Sequence, residues 1–188
     1  MLKHTRQAGL VALFAASFSL FALPGYAESL ARKASDFASG SGNIIYLSAA
    51  VGLPLLTDGH DGKNHTLRTA DSLLVSVALS EGLKSLVREK RPDSNSHDSF
   101  PSGHATAAFA VATVESQEHP RQASLWYLGA SLISYSRIRL HRHFVGDVLA
   151  GAALGYGTAR LELSQPHGLL LSPFITSDGI GLQMSHGL

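Results

Sequence analysis

Apolar residues recur at three- and four-residue steps along most of this chain. In residues 69–90, Leu73, Leu74, Val77, Leu83, Leu86 and Val87 keep that spacing, which predicts a long helix. It stops before Pro92, because the residue ahead of a proline disfavours the helical region. Upstream, Gly40-Ser41-Gly42-Asn43 is a breaker cluster. An apolar helix is expected over 44–56, followed by a polar turn over 57–64. Residues 93–100 read as a polar loop. Ser102 is a good N-cap, and small apolar residues carry a helix from there to about Ser116. Glu118-His119-Pro120 breaks the pattern, and two further helices are expected over 123–140 and 144–163. The Ala-Gly-rich stretch 150–157 should lie close against a neighbour, since small residues let helix axes approach. From Gln165 the character changes. Ser177-Asp178-Gly179 sits between apolar-containing runs at 169–175 and 180–184, which reads as a β-hairpin. The expected fold is all-α, a bundle of five or six helices with a small C-terminal β-hairpin.

The N-terminus has a different pattern. Lys3 and Arg6 precede an uncharged apolar run over 9–23, and Gly25-Tyr26-Ala27 supplies small residues at a cleavage site. We therefore expect a signal peptide over 1–27, a helical domain over 28–164 and a tail over 165–188. The protein is expected to be exported, with its working face in the periplasm. The mature helices are apolar enough to raise the question of a membrane. The longest charge-free run, 37–57, contains Gly, Ser, Asn and Pro, and 123–136 is short for a span of about 20 residues. Mean hydropathy is +0.11. A small bundle also buries its helices nearly all round, so the reading is a soluble or peripheral bundle that touches a membrane surface at most.

Composition removes several function classes. There are 15 Lys and Arg against 14 Asp and Glu. Losing Lys3 and Arg6 would leave 13 against 14. A near-neutral chain argues against nucleic acid as a partner. With no cysteine, disulfides, thiolate catalysis and Cys-ligated metals are excluded. About 160 residues bury an adequate core without them.

Three segments carry candidate chemistry. In Pro101-Ser102-Gly103-His104, an N-cap at Ser102 would leave the first-turn amides unpaired, and the helix dipole would add to them as an anion site. Gly103 would admit a phosphate close to the backbone, and His104 in the first turn could protonate a departing oxygen. His143 and Asp147 are four apart, so on a helix they share a face. A carboxylate on one ring nitrogen fixes the tautomer and leaves the other nitrogen free to attack phosphorus. Arg137 suits a bidentate hold on phosphate. Lys84 and Arg91 are seven apart, two turns of one helix face. Arg139, His141 and Arg142 lie nearby and receive no role. Each piece alone is common. Three cations, two histidines, a carboxylate and a helix-opening turn together are the parts of phosphoryl transfer without a metal.

The pattern Lys84-x6-Arg91-Pro92, Pro101-Ser102-Gly103-His104, Ser136-Arg137-x5-His143-x3-Asp147 resembles that of the type 2 phosphatidic acid phosphatase superfamily. This superfamily includes bacterial acid phosphatases, lipid phosphatases and vanadium haloperoxidases. The resemblance covers about 68–157 and implies the superfamily's helical bundle. It implies that His143 is the nucleophile forming a phosphohistidine, that Asp147 orients it, and that His104 is the general acid. Lys84, Arg91, Arg137, Ser102 and Gly103 would hold the phosphoryl oxygens. Neither metal nor cofactor is implied. The expected substrate is a phosphorylated small molecule or lipid. A vanadate-dependent haloperoxidase and a non-catalytic envelope binding protein are the competing readings. The loop 93–100 and the segment 60–65 are expected to rim the pocket.

Overall fold

The structure, a computed structural model, describes residues 24–165, Gly168, and the strand residues 171–176 and 179–184. The chain divides into two compact units, 1–34 and 35–188. In the first, the described part is the beginning of helix α1 (Pro24–Ser39). The rest of the expected signal peptide lies outside the described residues.

The second unit contains the end of α1, then α2 (Ser41–Gly52), α3 (Pro54–Thr57), α4 (Gly62–Val87), α5 (Gly103–Glu118), a 3₁₀ turn (Pro120–Gln122), α6 (Ala123–Arg139) and α7 (Val145–Ser164). Strands β1 (Leu171–Thr176) and β2 (Gly179–Met184) pair antiparallel, from Leu171 opposite Met184 to Thr176 opposite Gly179. This is the expected hairpin, although Ser177 and Asp178 of its turn lie outside the described residues.

Four helix boundaries differ from the periodicity for local reasons. Helix α2 starts at Ser41, so only Gly40 of the breaker cluster breaks the chain. Gly42 is needed for close approach, because a Cβ there would lie 2.8 Å from the Phe37 carbonyl oxygen. The expected helix over 44–56 divides at Leu53, since Pro54 has no N–H and opens α3 instead. Helix α4 begins earlier than expected, at Gly62, where a Cβ would sit 2.1 Å from the Pro54 carbonyl oxygen. It ends at Val87, because Arg88 turns into the left-handed region at φ 53°.

Helix α5 is the centre of the bundle, packed against α4, α6 and α7. Ala105, Ala108, Ala110, Val111, Ala112 and Val114 are fully buried. Ala50, Ala108, Val111, Ala112, Trp126, Ala130 and Ile133 make the core cluster, with Tyr46 packed on it. The Tyr46 hydroxyl donates to the Trp126 carbonyl at 2.8 Å. The glycine stretch of α7 lies tight on α5 as expected. A Cβ on Gly151 would come within 2.5 Å of the Ser102 carbonyl oxygen, and one on Gly155 within 2.1 Å of that of Thr106.

The expectation that the helices are buried nearly all round is not met. Helix α4 turns Thr69, Asp71, Ser72, Ser76 and Ser80 inward, while Leu74, Val77, Leu79, Leu86 and Val87 are exposed. Helix α6 buries Ala130, Ile133, Ser134, Ser136 and Arg137 and exposes Leu125, Leu128, Leu132 and Tyr135. Close packing on the alanine surface of α5 admits small side chains, so the bulky ones point away. No described helix is long and apolar enough to cross a membrane.

Candidate active site

All eight expected site residues converge where the N-terminus of α5 meets the start of α7. Ser102 is the N-cap of α5 and has extended backbone angles. Its N–H donates to the Asp147 carbonyl at 3.0 Å, and its own carbonyl accepts from Thr106 N–H at 2.9 Å. The turn is therefore anchored to α7 and α5 at once. The Ser102 hydroxyl does not cap the helix. It is buried and has no hydrogen-bond partner among the described residues. Gly103 faces Lys84: a Cβ would lie 3.1 Å from the Lys84 Nζ and 3.8 Å from the Ser80 hydroxyl. That hydroxyl is also buried and unpartnered among the described residues.

Two expectations about shared helix faces are corrected. Arg91 does not continue the face of Lys84, because α4 has ended at Val87. It reaches the site from the following loop, where its N–H bonds the Ser96 carbonyl at 2.9 Å. Its guanidinium holds Asp98 with two bonds of 2.8 Å. His143 likewise precedes α7 and is not on it. Asp147 is the third residue of α7, and its Oδ2 accepts from Phe144 N–H at 2.9 Å, capping the helix. The His143 Nδ1 lies 3.5 Å from the same oxygen. The pairing follows from this turn and cap; it does not follow from helical periodicity.

Several residues of the site were not apparent in the sequence. Ser99 donates its hydroxyl to Asp147 Oδ2 at 2.6 Å and stands 3.5 Å from His143 Nδ1. Ser39, at the end of α1, accepts from His104 Nε2 at 3.1 Å through its carbonyl, and its hydroxyl accepts from Arg137 Nη1. Glu81 pairs with Lys84. Glu89 faces Asp147, and burial followed by repulsion from that carboxylate pushes its own carboxyl above the usual range. Such contacts join segments far apart in sequence, and serines carry no periodic signal.

The electrostatics select neutral histidines. His143 is 3% exposed. Burial, then Arg137 and Arg91, pushes it down to about 4. Burial, then Arg137, pushes His104 down to about 4, against a favourable bond to Ser39. Burial lowers even Arg137 to about 10, with Arg91 and Arg142 adding to it. Among the described residues no ion pair holds Arg137, and its Nε is buried without a partner. Positive charge, two uncharged imidazoles and unpartnered buried donors thus surround one point. An oxyanion there would satisfy the donors and relieve the repulsion among the cations.

The loop 93–100 borders this site through Asp98 and Ser99, as expected. The segment 60–65 does not: His65 packs against Asp58, Glu118 and His119, at the other end of α5.

The chain is similar to known proteins in sequence and in fold. A family model described as the PAP2 superfamily matches residues 66–169. Lipid A 1-phosphatase of Porphyromonas gingivalis is 44% identical over 69 residues, which are 35% of this chain and 16% of that protein. The match therefore spans a small part of the relative's length. The crystal structure of Aquifex aeolicus LpxE aligns with a TM-score of 0.59 at 24% identity, covering 73% of this chain and 86% of that one. A PAP2-type phosphatidylglycerolphosphate phosphatase from Bacillus subtilis aligns with a TM-score of 0.48 at 22% identity, covering 82% and 84%.

Proposed function

The chain belongs to the PAP2 superfamily, and from that membership we propose that it is a metal-independent phosphatase acting on a phosphorylated lipid through a phosphohistidine. The observation that carries this reading is the pair of buried donors without a partner among the described residues, Ser102 Oγ and Arg137 Nε, beside two neutral histidines. The phosphoryl oxygens bind Arg137, Lys84 and Arg91, the Ser102 hydroxyl and the first amides of α5. His143, with Nδ1 turned to Asp147, attacks phosphorus through Nε2. The P–N bond forms as the ester P–O bond breaks, and His104 gives its proton to the departing alkoxide. Water then attacks phosphorus, His104 takes up its proton, and the P–N bond breaks to release phosphate. The phosphate's negative charge favours protonated His104 and so offsets the desolvation that keeps it neutral in the free protein.

A lipid substrate is supported by the exposed apolar side chains at this end of the bundle: Leu86, Val87, Phe144 and Val145. They adjoin Lys84 and His143 in the chain and suit an amphiphile whose headgroup enters the site. The site would face the periplasm, with the apolar flanks against the membrane.

The test is phosphate release by the purified chain in EDTA, on phosphatidate in detergent micelles and on p-nitrophenyl phosphate. The expected result is turnover of the lipid, a weaker rate on the soluble ester, and an acid-labile radiolabel on the protein. His143→Ala should abolish both turnover and label while the protein stays folded. Activity retained in His143→Ala overturns the mechanism. Halide oxidation with vanadate and peroxide, without phosphatase activity, would replace it with the haloperoxidase reading.

A further inference from the structure

A second cluster lies at the far end of α5, fifteen residues from His104 along the chain and about 22 Å away at 1.5 Å per residue. Asp58 follows α3, His65 lies in the first turn of α4, Glu115 lies in the last turn of α5, and His119 follows that helix. The Asp58 Oδ2 is 2.7 Å from His65 Nδ1 and 3.2 Å from His119 Nε2. The Glu115 Oε2 is 3.6 Å from the same His119 nitrogen. One ligand atom from each of Asp58, His65 and His119 falls within 4.8 Å of the others.

Three of these side chains are held from behind. The second oxygen of Asp58 accepts from the Thr57 hydroxyl at 2.7 Å. The second oxygen of Glu115 accepts from the Thr69 hydroxyl at 3.0 Å. The second nitrogen of His65 faces Glu118 at 3.0 Å. Asp58 and His65 therefore each turn one donor atom into the cluster while the other atom is anchored, the outer-shell arrangement that orients metal ligands. Ligands at about 2.0–2.1 Å in a tetrahedron stand about 3.3–3.4 Å apart; the Asp58–His119 separation of 3.2 Å meets that spacing, and the 2.7 Å Asp58–His65 contact would open by about 0.6 Å on binding. Asp58 and Glu115 are 8% and 1% exposed at their side chains. His65 and Glu118 also line a cleft of about 500 Å³ shared with Arg68 and Arg160, which is a route of entry from solvent.

We propose that Asp58, His65 and His119 form a site for a transition-metal dication of the zinc class, remote from the phosphate site. Two nitrogen donors and one oxygen favour such an ion over magnesium or calcium, which select oxygen alone. The ion would tie the α3–α4 turn to the end of α5, staple one end of the bundle, and take no part in the chemistry. This reading is independent of the proposed phosphatase activity.

The experiment is equilibrium dialysis of the full chain, without a histidine tag and stripped with EDTA, against zinc, followed by thermal unfolding with and without zinc. The expected result is one zinc per chain and a raised Tm that EDTA reverses. His119→Ala and the near-isosteric Asp58→Asn should each weaken binding more than about 100-fold. Thr57→Val, which removes an outer-shell partner, should weaken it about 10–100-fold. His143→Ala should bind as the wild type does. No saturable binding by the folded wild type overturns the proposal. So does binding that survives both Asp58→Asn and His119→Ala, or that is lost in His143→Ala, which would place the ion at the other histidine pair.

Discussion

Replacing Gly151 by alanine adds one methyl group where α7 has no room for it. A Cβ at this position would stand 2.5 Å from the Ser102 carbonyl oxygen, 3.0 Å from the Thr106 hydroxyl and 3.3 Å from the Ala105 Cβ. The carbonyl cannot swing aside, because it accepts from both the amide and the hydroxyl of Thr106, at 2.9 and 3.0 Å. A normal C···O contact of about 3.3 Å therefore requires α7 to move off α5 by roughly 0.8 Å. Overpacking of this kind costs about 1–3 kcal/mol. The contact is with anchored backbone, so the upper end applies. Alanine regains about 1 kcal/mol of helix propensity. The net loss is about 2 kcal/mol, a Tm lowered by about 4–8 °C for a domain of this size. The shift strains the Ser102–Asp147 bond that joins the two halves of the site, so kcat should fall on the order of tenfold to a hundredfold. Gly157→Ala is the control. It lies in the same helix with nothing within 4 Å of its added Cβ, and should raise Tm by about 2–4 °C with kcat unchanged. Thermal unfolding and phosphate release measure both. A Gly151→Ala protein as stable and as active as the wild type would refute the account of close packing at the site.

Three further outcomes are expected. Ser99→Ala removes the hydroxyl that holds Asp147 at 2.6 Å and should lower kcat by about 10–100-fold, at about 1.5–3 kcal/mol for a hydrogen bond to a charged group. Steady-state kinetics should show KM little changed and activity restored in Ser99→Thr; a loss in KM alone would show that Ser99 does not position the nucleophile. His104 and His143 drop from their ordinary 6.5 to about 4 in the folded chain. Between those values the unfolded chain binds more protons, so stability should fall as pH is lowered from 6.5 to 4. Denaturant midpoints across that window check the sign, and His104→Gln should flatten the slope. Orthovanadate, which resembles the five-coordinate transition state, should inhibit competitively with lipid phosphate, and inhibition should weaken in an Arg137→Lys protein, which loses the bidentate hold.

How much of this protein could be read from its sequence depends on the range of the forces involved. Helix existence is local. The spacing in α4, the N-cap position at Ser102 and the break after Glu118 each act within a few residues, and they were legible. The chemistry-bearing residues were legible too, because their types and order state what they can do. Which face of a helix turns inward was not legible in α4, where leucine and serine stripes both repeat at helical spacing. Only the alanine surface of α5 decided that the serines pack and the leucines point out. The geometry of the phosphate site belongs to the same class. Arg91 and His143 arrive from turns whose shape is set by bonds to Ser96, Ser99 and Asp147. Ser39 reaches His104 across 65 positions of chain, and Asp58 meets His119 across a bundle end that no motif marks. Periodicity records what neighbours in the chain can share, while contacts between distant segments exist only once packing has chosen the faces.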